Sequence, residues 1–164
     1  MIFWGYFFAT CCYLTYCGSR FLKLKKGMLL LDLLSKPLMA MALYCFNSLS
    51  GAYIFMVVCL MLIACNIKER LHAKWLPAYV LFQTLYLVIL YYTYTGYSSL
   101  LIVLCASITL FSTWWLPPQK MRLIGGFNGF ISLSYHLSIH DWLGLMEIVV
   151  MISNFVAYHK MRKK

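Results

Sequence analysis

Charged side chains are scarce in this chain, since Asp, Glu, Lys and Arg together make up 11% of its 164 residues. A soluble domain usually carries about 25% charged and 45–50% apolar residues. Here 63% of the residues are hydrophobic, and the mean hydropathy is +0.80. A single core in a chain of this length cannot bury so much apolar surface. We therefore predict an all-α integral membrane protein.

Enzyme and metal signatures are also missing. The sequence contains no GxSxG, HExxH, P-loop or GxGxxG motif. Its four histidines and four acidic residues do not form the pattern of a hydrolase. All seven cysteines lie in apolar runs and none belongs to a CxxC pair, so we interpret them as packing residues. We expect no enzymatic activity.

A basic segment before the first apolar run is absent as well. A secretory signal peptide has its basic residues ahead of the apolar stretch. In this sequence residues 1–17 are apolar from the start, and the basic residues of 18–27 follow them. We therefore expect no cleavable signal peptide, and a first span with its N-terminus outside.

Long apolar runs account for almost the whole chain. A membrane-spanning helix needs about 20 mostly apolar residues. Seven stretches meet this requirement: 1–17, 28–47, 51–67, 75–94, 97–116, 123–140 and 142–159. Almost nothing is left for a soluble domain, so any binding site must lie in the helix bundle or its short loops.

The basic residues test this count independently. Thirteen of the fourteen Lys and Arg residues lie in alternate connections (18–27, 68–74 and 117–122) or in the C-terminal tail, and the fourteenth is Lys36. The positive-inside rule then places the N-terminus outside and the C-terminus in the cytoplasm. The net charge of +10 is explained by this topology and by contact with anionic lipid. We predict no nucleic-acid binding, because no basic soluble domain exists.

The same charge pattern occurs twice. Residues 25–70 and 120–164 each run from a basic entry through two spans to a basic exit, and each is preceded by one further span. We predict a single membrane domain over 1–164, with three-helix units at 1–70 and 97–164 joined by a linker helix at 75–94. A single linker helix makes the two units parallel, which is a transporter architecture.

The second unit carries a specific resemblance. Its sequence KMRLIGGFNGFISLSYHLSIHDWLGLMEIVVMISNFVAYHKMR resembles the bacterial YgjV-type inner-membrane proteins, and Glu147 and Asn154 match a Glu and an Asn of that family. The first unit, KKGMLLLDLLSKPLMAMALYCFNSLSGAYIF, resembles the family's other repeat more loosely, with Cys65–Asn66 where an Arg–Asn pair often stands. The resemblance implies a bacterial inner (plasma) membrane location. It also implies a 3+1+3 fold similar to that of the SWEET and PQ-loop sugar and amino-acid carriers, without naming a substrate.

The segment LPPQK at 116–120 contains the letters of the PQ motif. In PQ-loop carriers that proline bends a helix from within. Here the two prolines come at the end of a span and immediately before basic residues, so we interpret them as a helix stop.

Span 2 carries charges inside an apolar run. Asp32 and Lys36 are four residues apart, so they share a helix face and can pair. Lys36 can also extend toward the cytoplasm, and Pro37 should bend the helix. The same face continues to Asn47. Two interpretations stay open: a charge pair beside a solute path, or a self-neutralised structural pair.

Polar and small residues recur at helical spacing in spans 6 and 7. Because such residues face the bundle interior or water, each series should occupy one helix face. Span 6 carries Gly125, Gly129, Ser132, His136 and His140, with Asn128 beside them. Span 7 carries Glu147, Met151, Asn154 and Tyr158. These faces could form a permeation surface or serve close helix packing and interhelical hydrogen bonds.

Glu147 falls five residues inside predicted span 7, where an ionisable residue is costly. It could be protonated, pair with His136 or His140, or bind a solute. With the two histidines and Asp141 it could also provide zinc ligands. Since His140 and Asp141 belong to the predicted outer turn, where polar residues need no metal, we predict no metal site and no cofactor.

Weaker polar faces occur in three other spans. Gln83 aligns with two tyrosines of the linker helix, and we keep it as a path candidate. Span 1 presents Tyr6, Thr10, Tyr13 and Cys17 on one face, and span 5 presents Cys105, Thr109 and Ser112. For all three faces we favour hydroxyls bonded back to their own helix and tyrosines of the interfacial belt.

The sequence therefore predicts a carrier or facilitator of a small polar solute, working by alternating access between the two units. The alternative is a non-transporting scaffold or accessory subunit. Candidate path residues are Asp32, Lys36, Asn47, Gln83, Asn128, Ser132, His136, Glu147 and Asn154. Proton coupling through Asp32, His136 or Glu147 is a hypothesis. The expected partners are the lipid bilayer and the solute, and the sequence is compatible with a homo-oligomer.

Overall fold

The computed structural model describes residues 2–71, 75–140 and 142–162, and this part of the chain is helical. Its helices are α1 (Ile2–Arg20), α2 (Lys25–Cys45), α3 (Leu49–Leu71), α4 (Leu76–Thr93), α5 (Tyr97–Trp115), α6 (Pro118–Ser138) and α7 (Met146–Arg162). A short 3₁₀ turn, Trp142–Leu145, precedes α7. Each predicted span corresponds to one of these helices, so the all-α class is confirmed.

The helix boundaries differ from the predicted spans at the two ends of α6. The chain stops its helix at Trp115, before the two prolines, as predicted. Pro118 then begins α6, because a proline at the first helical position loses no intrahelical hydrogen bond. At the other end, the 3₁₀ turn delays α7 until Met146. Glu147 is thus in the first turn of α7 and not five residues inside a helix. A carboxylate in that position is favoured by the helix dipole.

Much of the outer surface is apolar. Helices α2, α3, α4 and α5 are long and apolar enough to cross a membrane. Helix α7 is shorter, with 17 residues, and α1 and α6 do not meet the same combined requirement of length and hydropathy. Large apolar side chains cover the exterior, among them Leu30, Leu34, Met56, Leu60, Leu104, Phe127, Phe130 and Ile152. So extensive an exposed apolar surface belongs in lipid.

Six of the helices form a closed ring. Helix α1 packs on α2 and α2 on α3, while α5 packs on α6 and α6 on α7. Contacts of α3 with α5 and of α7 with α1 close the ring. This pattern is unchanged when α1, α2 and α3 are exchanged with α5, α6 and α7. Helix α4 lies outside the ring against α3 and α5, and only its Phe82 and Tyr86 are buried.

The small residues of α6 bring it close to α7. A Cβ atom at Gly126 would lie 2.8 Å from the Phe155 ring, and one at Gly129 would collide with the Met151 side chain. The two helices can therefore approach only because these positions carry no side chain. Gly129 of the predicted series thus serves close helix packing, and Gly125 and Gly129 also line the cavity described below.

Candidate functional site

A cavity of about 60 Å³ lies at the centre of the ring and is lined by all six ring helices. One water needs roughly 10–15 Å³ by the same measure, so the cavity has room for several. Apolar side chains form much of its wall. The polar residues that line it are Tyr13, Tyr16, Lys36, Thr109, Asn128, Ser132 and Glu147.

Lys36 brings a positive charge to the cavity from α2. Its Nζ atom lies 4.3 Å from the centre of the Tyr16 ring and 5.5 Å from that of Phe55. Both distances allow cation–π attraction. Among the described residues, no carboxylate forms an ion pair with Lys36. Its charge is therefore held by aromatic faces and directed at the cavity.

Glu147 brings a negative charge from α7. Its Oε1 atom accepts hydrogen bonds from the hydroxyls of Ser132 (2.9 Å) and Tyr13 (3.1 Å). The Nε2 atom of His136 lies 3.9 Å from the same oxygen and 3.4 Å from the Tyr13 hydroxyl. Glu147 is thus held by groups from α1 and α6. Within the described chain, its Oε2 atom receives no hydrogen bond.

Two buried amides lie along α6 and α7. The Nδ2 atom of Asn128 donates to the Cys105 carbonyl (3.0 Å) and to Thr109 Oγ1 (3.1 Å). Asn154 Nδ2 donates to the Val150 carbonyl at 3.0 Å. In the described part of the chain, both Oδ1 atoms are buried without a donor. Since an unmet buried acceptor is costly, each of these oxygens would gain from an added donor.

Asp32 lies in a different environment from Lys36. It accepts a hydrogen bond from Ser19 Oγ at 2.5 Å and forms an ion pair with Arg20, and both side chains of the ion pair are buried. The predicted Asp32–Lys36 pair is therefore wrong. Sequence spacing places the two residues on one face of α2, but Arg20 from the end of α1 reaches the carboxylate. A guanidinium fits a carboxylate better than an ammonium does.

The end of the ring where α1 ends and α2 and α6 begin is referred to below as the basic end, after Arg20, Lys25, Lys68 and Arg122. Arg122 is 1% exposed and donates to the carbonyls of Arg20 (2.8 Å) and Leu22 (2.5 Å). Lys68 donates to the Trp114 carbonyl. These contacts join α6 to α1 and α3 to α5, so both cross between the two halves of the ring.

A hydroxyl pair joins the two halves at the opposite end. Ser48, between α2 and α3, lies 2.6 Å from the Tyr135 hydroxyl of α6. Asn47, beside it, adopts a positive φ of 58° and is exposed. Asparagine tolerates this left-handed conformation better than most residues. Asn47 therefore lies in the turn between α2 and α3, outside the cavity.

The nine predicted path residues divide into three groups. Lys36, Asn128, Ser132 and Glu147 line the cavity. His136 contacts Glu147, and Asn154 contacts Gly125 of the cavity wall. The third group lies elsewhere: Asp32 belongs to the basic end, Asn47 to the turn, and Gln83 bonds Ser107 at 2.8 Å to join α4 to α5.

Three polar residues of the cavity were not among the predicted path residues. Tyr13 is buried against Glu147 and not in an interfacial belt. Thr109 does bond back to its own helix, at 2.9 Å, and it also receives the Asn128 bond. Tyr16 lies outside the Tyr6–Thr10–Tyr13–Cys17 face. The available signals were the alignment of Tyr13 with Thr10 and Cys17 and that of Thr109 with Cys105 and Ser112.

Metal ligands do not converge in the described ranges: no group of three or more His, Cys, Asp or Glu side chains there could hold a metal ion. Asp141, one of the four residues considered for zinc, lies outside the described residues. His140 is exposed and has a positive φ of 56°. Of the four residues, His136 and Glu147 are the two that lie close together, 3.9 Å apart beside the cavity.

The fold and the apolar surface define the class of this chain: it is an all-helical, multi-pass membrane protein. No family model matches the chain, and no curated protein or solved structure shows significant similarity to it.

Proposed function

We propose that this chain is a seven-helix carrier or facilitator of a small polar solute in the bacterial inner membrane. The observation that carries the proposal is the central cavity, in which Lys36 from one half and Glu147 from the other remain unpaired with each other. Ionisable residues are costly inside a membrane, and they usually mark a solute or ion path.

The arrangement of the helices supports a 3+1+3 carrier. The contacts within the ring are the same after the halves are exchanged, as expected for two parallel units. The peripheral α4 suits a linker. The resemblance of the second unit to YgjV-type inner-membrane proteins supports the same architecture. The charge pattern supports an outer N-terminus and a basic end that faces the cytoplasm.

Alternating access requires the two ends of the ring to open in turn. At the basic end, this movement would break the Arg122 bonds to α1 and the Lys68 bond to Trp114. At the other end it would break the Ser48–Tyr135 contact. Each of these contacts joins one unit to the other, so rocking of one unit against the other would exchange them.

Of the three residues considered for proton coupling, we retain only Glu147 and His136. Asp32 is held by Arg20 and Ser19 and is not in the cavity. Glu147, by contrast, has a histidine at 3.9 Å and a tyrosine hydroxyl between them. If transport is coupled to protons, an inwardly directed proton gradient should accelerate solute uptake by the parent protein. The same gradient should leave solute uptake by the Glu147→Gln variant unchanged.

The test is solute flux in liposomes that contain the purified protein. Light scattering after osmotic shock is recorded for sugars, polyols, amino acids, carboxylates and amines. One class of solute should enter these liposomes faster than protein-free liposomes. The Glu147→Gln substitution should slow the entry of that solute at least tenfold. Glu69→Gln is the matched control, since Glu69 pairs with Lys25 at the basic end and should leave flux unchanged.

If no solute crosses and the Glu147→Gln protein behaves like its parent, the carrier proposal is wrong, and a scaffold or accessory subunit takes its place. Orientation has a separate test. A C-terminal reporter that is active only outside the cytoplasm should stay silent, and activity would contradict the proposed topology.

A further inference from the structure

We infer that the solute is a small zwitterion, with a carboxylate that binds Lys36 and an ammonium that binds Glu147 and Asn128. This inference rests on the proposed carrier function and adds the chemical class of the solute.

The first step is the separation of the two charges. Lys36 comes from α2 and Glu147 from α7, and these helices lie in different halves of the ring. The described residues include no carboxylate paired with Lys36, and Lys36 does not reach Glu147. Both charges line one cavity. A buried charge without an ionic partner, such as Lys36, is costly. Glu147 has His136 at 3.9 Å, and a ligand that contacts both Lys36 and Glu147 would neutralise the lysine and add a second cation beside the carboxylate.

The second step is the division of donors and acceptors. Lys36 offers N–H donors and no acceptor. On the other half, Glu147 Oε2 and the buried Asn128 Oδ1 are acceptors without a donor in the described chain. An ammonium has several N–H groups to satisfy such oxygens, while a carboxylate accepts from Lys36. The cavity therefore matches a molecule with an ammonium at one end and a carboxylate at the other.

The third step is size. A cavity of about 60 Å³ holds about four to six water-sized groups at roughly 10–15 Å³ each. That is close to the size of glycine or alanine. A ligand that contacts both Lys36 and Glu147 would bind both units at once.

The experiment measures uptake of radiolabelled glycine and alanine into proteoliposomes, with competitors that keep only one of the two charged groups. We expect alanine uptake to be blocked by unlabelled glycine. Propionate, ethylamine and glucose should need at least tenfold higher concentrations. Preferential blocking by glucose or propionate would overturn the zwitterion assignment.

Two variants test the assignment of each end. Lys36→Met should lower alanine uptake at least tenfold and leave ethylamine the better competitor. Glu147→Gln should lower uptake equally and leave propionate the better competitor. Lys26→Met and Glu69→Gln, which change exposed or basic-end residues, should retain parental uptake. If Lys36→Met and Glu147→Gln each weaken competition by propionate and by ethylamine to the same extent, the assignment of the two ends is wrong.

The inference and the carrier function fail differently. If glycerol or glucose crosses, alanine does not, and Lys36→Met has no effect, the solute class is wrong while the carrier stands. If none of the labelled compounds crosses above the protein-free level, and the osmotic experiment is also negative, both are wrong.

Discussion

Two groups of buried charges lie a short distance apart along α2, and their surroundings differ completely. At the basic end, Asp32 has an ion pair with Arg20 and a hydroxyl bond from Ser19. In the cavity, Lys36 has two aromatic rings and no carboxylate within the described chain. One group is saturated by the protein itself, and the other is left open to a ligand.

This difference separates structure from function within one helix. A charge that is fully paired has little to offer a solute, and its loss should damage the fold. An unpaired charge contributes little to folding, because its desolvation cost is not repaid. Stability and transport should therefore respond oppositely to the same substitution at the two positions, and the following variants test that expectation.

Removing the saturated cation should have the largest effect on stability. Arg20→Met leaves Asp32 buried with only Ser19 as a partner, and breaking a buried pair typically costs about 3–5 kcal/mol. We expect a loss of this size in thermal or denaturant unfolding of the detergent-solubilised protein. The double variant Arg20→Met with Asp32→Leu should recover most of the loss.

Lys25→Met is the control for that prediction. The Lys25–Glu69 pair has a separation of 2.7 Å and is partly exposed, so its loss should cost about 1 kcal/mol or less. Equal losses for Lys25→Met and Arg20→Met would contradict the special importance of the buried pair.

Removing the cavity cation should have a smaller effect of opposite sign. Lys36→Met gives up cation–π contacts worth about 0.5–2 kcal/mol but also removes an unpaired buried charge. We expect stability to stay the same or rise by about 1 kcal/mol, measured in the same unfolding experiment, while solute uptake falls. A fall in stability like that of Arg20→Met would remove the distinction between the two groups.

Weakening the contact at the end opposite the basic end should have a modest effect on stability and should increase access to the cavity. Ser48→Ala removes one hydroxyl contact with Tyr135, worth about 0.5–1.5 kcal/mol. Cys12 and Cys105 line the cavity and are free thiols. We expect faster labelling of these two cysteines by a membrane-impermeant thiol reagent in intact cells, followed by mass spectrometry.

The matched control is Ser138→Ala. Ser138 lies at the same end of α6, but its hydroxyl bonds the Tyr135 carbonyl of its own helix at 2.6 Å. Labelling should match the parent. Slower or unchanged labelling in Ser48→Ala would show that this contact does not restrict access to the cavity.

The smallest effect should come from α4, outside the ring. Gln83→Leu removes the 2.8 Å bond to Ser107, and such interhelical bonds in membranes average about 0.6 kcal/mol. We expect a stability loss of that size and normal uptake. A strong loss of uptake would return Gln83 to the solute path and contradict the placement of α4 at the periphery.

Much of the architecture was accessible from the sequence because it depends on local properties. Hydropathy and run length predicted a helix for each of the seven spans, and the prolines at 117 and 118 predicted where α5 ends. The polar series of spans 6 and 7 likewise predicted that Asn128, Ser132 and Glu147 share a site. Helical spacing determines which residues share a face, whatever packs against it.

The errors came from contacts between different helices. The i, i+4 spacing favoured an Asp32–Lys36 pair, but Arg20 from α1 competes for the carboxylate and wins it. Tyr13 resembled a belt residue, but α1 packs beside α7, where the Tyr13 hydroxyl reaches Glu147. No spacing rule within one helix can rank partners that another helix supplies.

Composition and the helical period are enough to identify a helical membrane protein with seven apolar segments and polar faces on particular helices. Which buried charges are paired and which face the cavity depends instead on how the helices pack. Pairing depends on distances of a few ångströms between helices, and those distances arise from packing, as where α6 lies against α7 through Gly126 and Gly129.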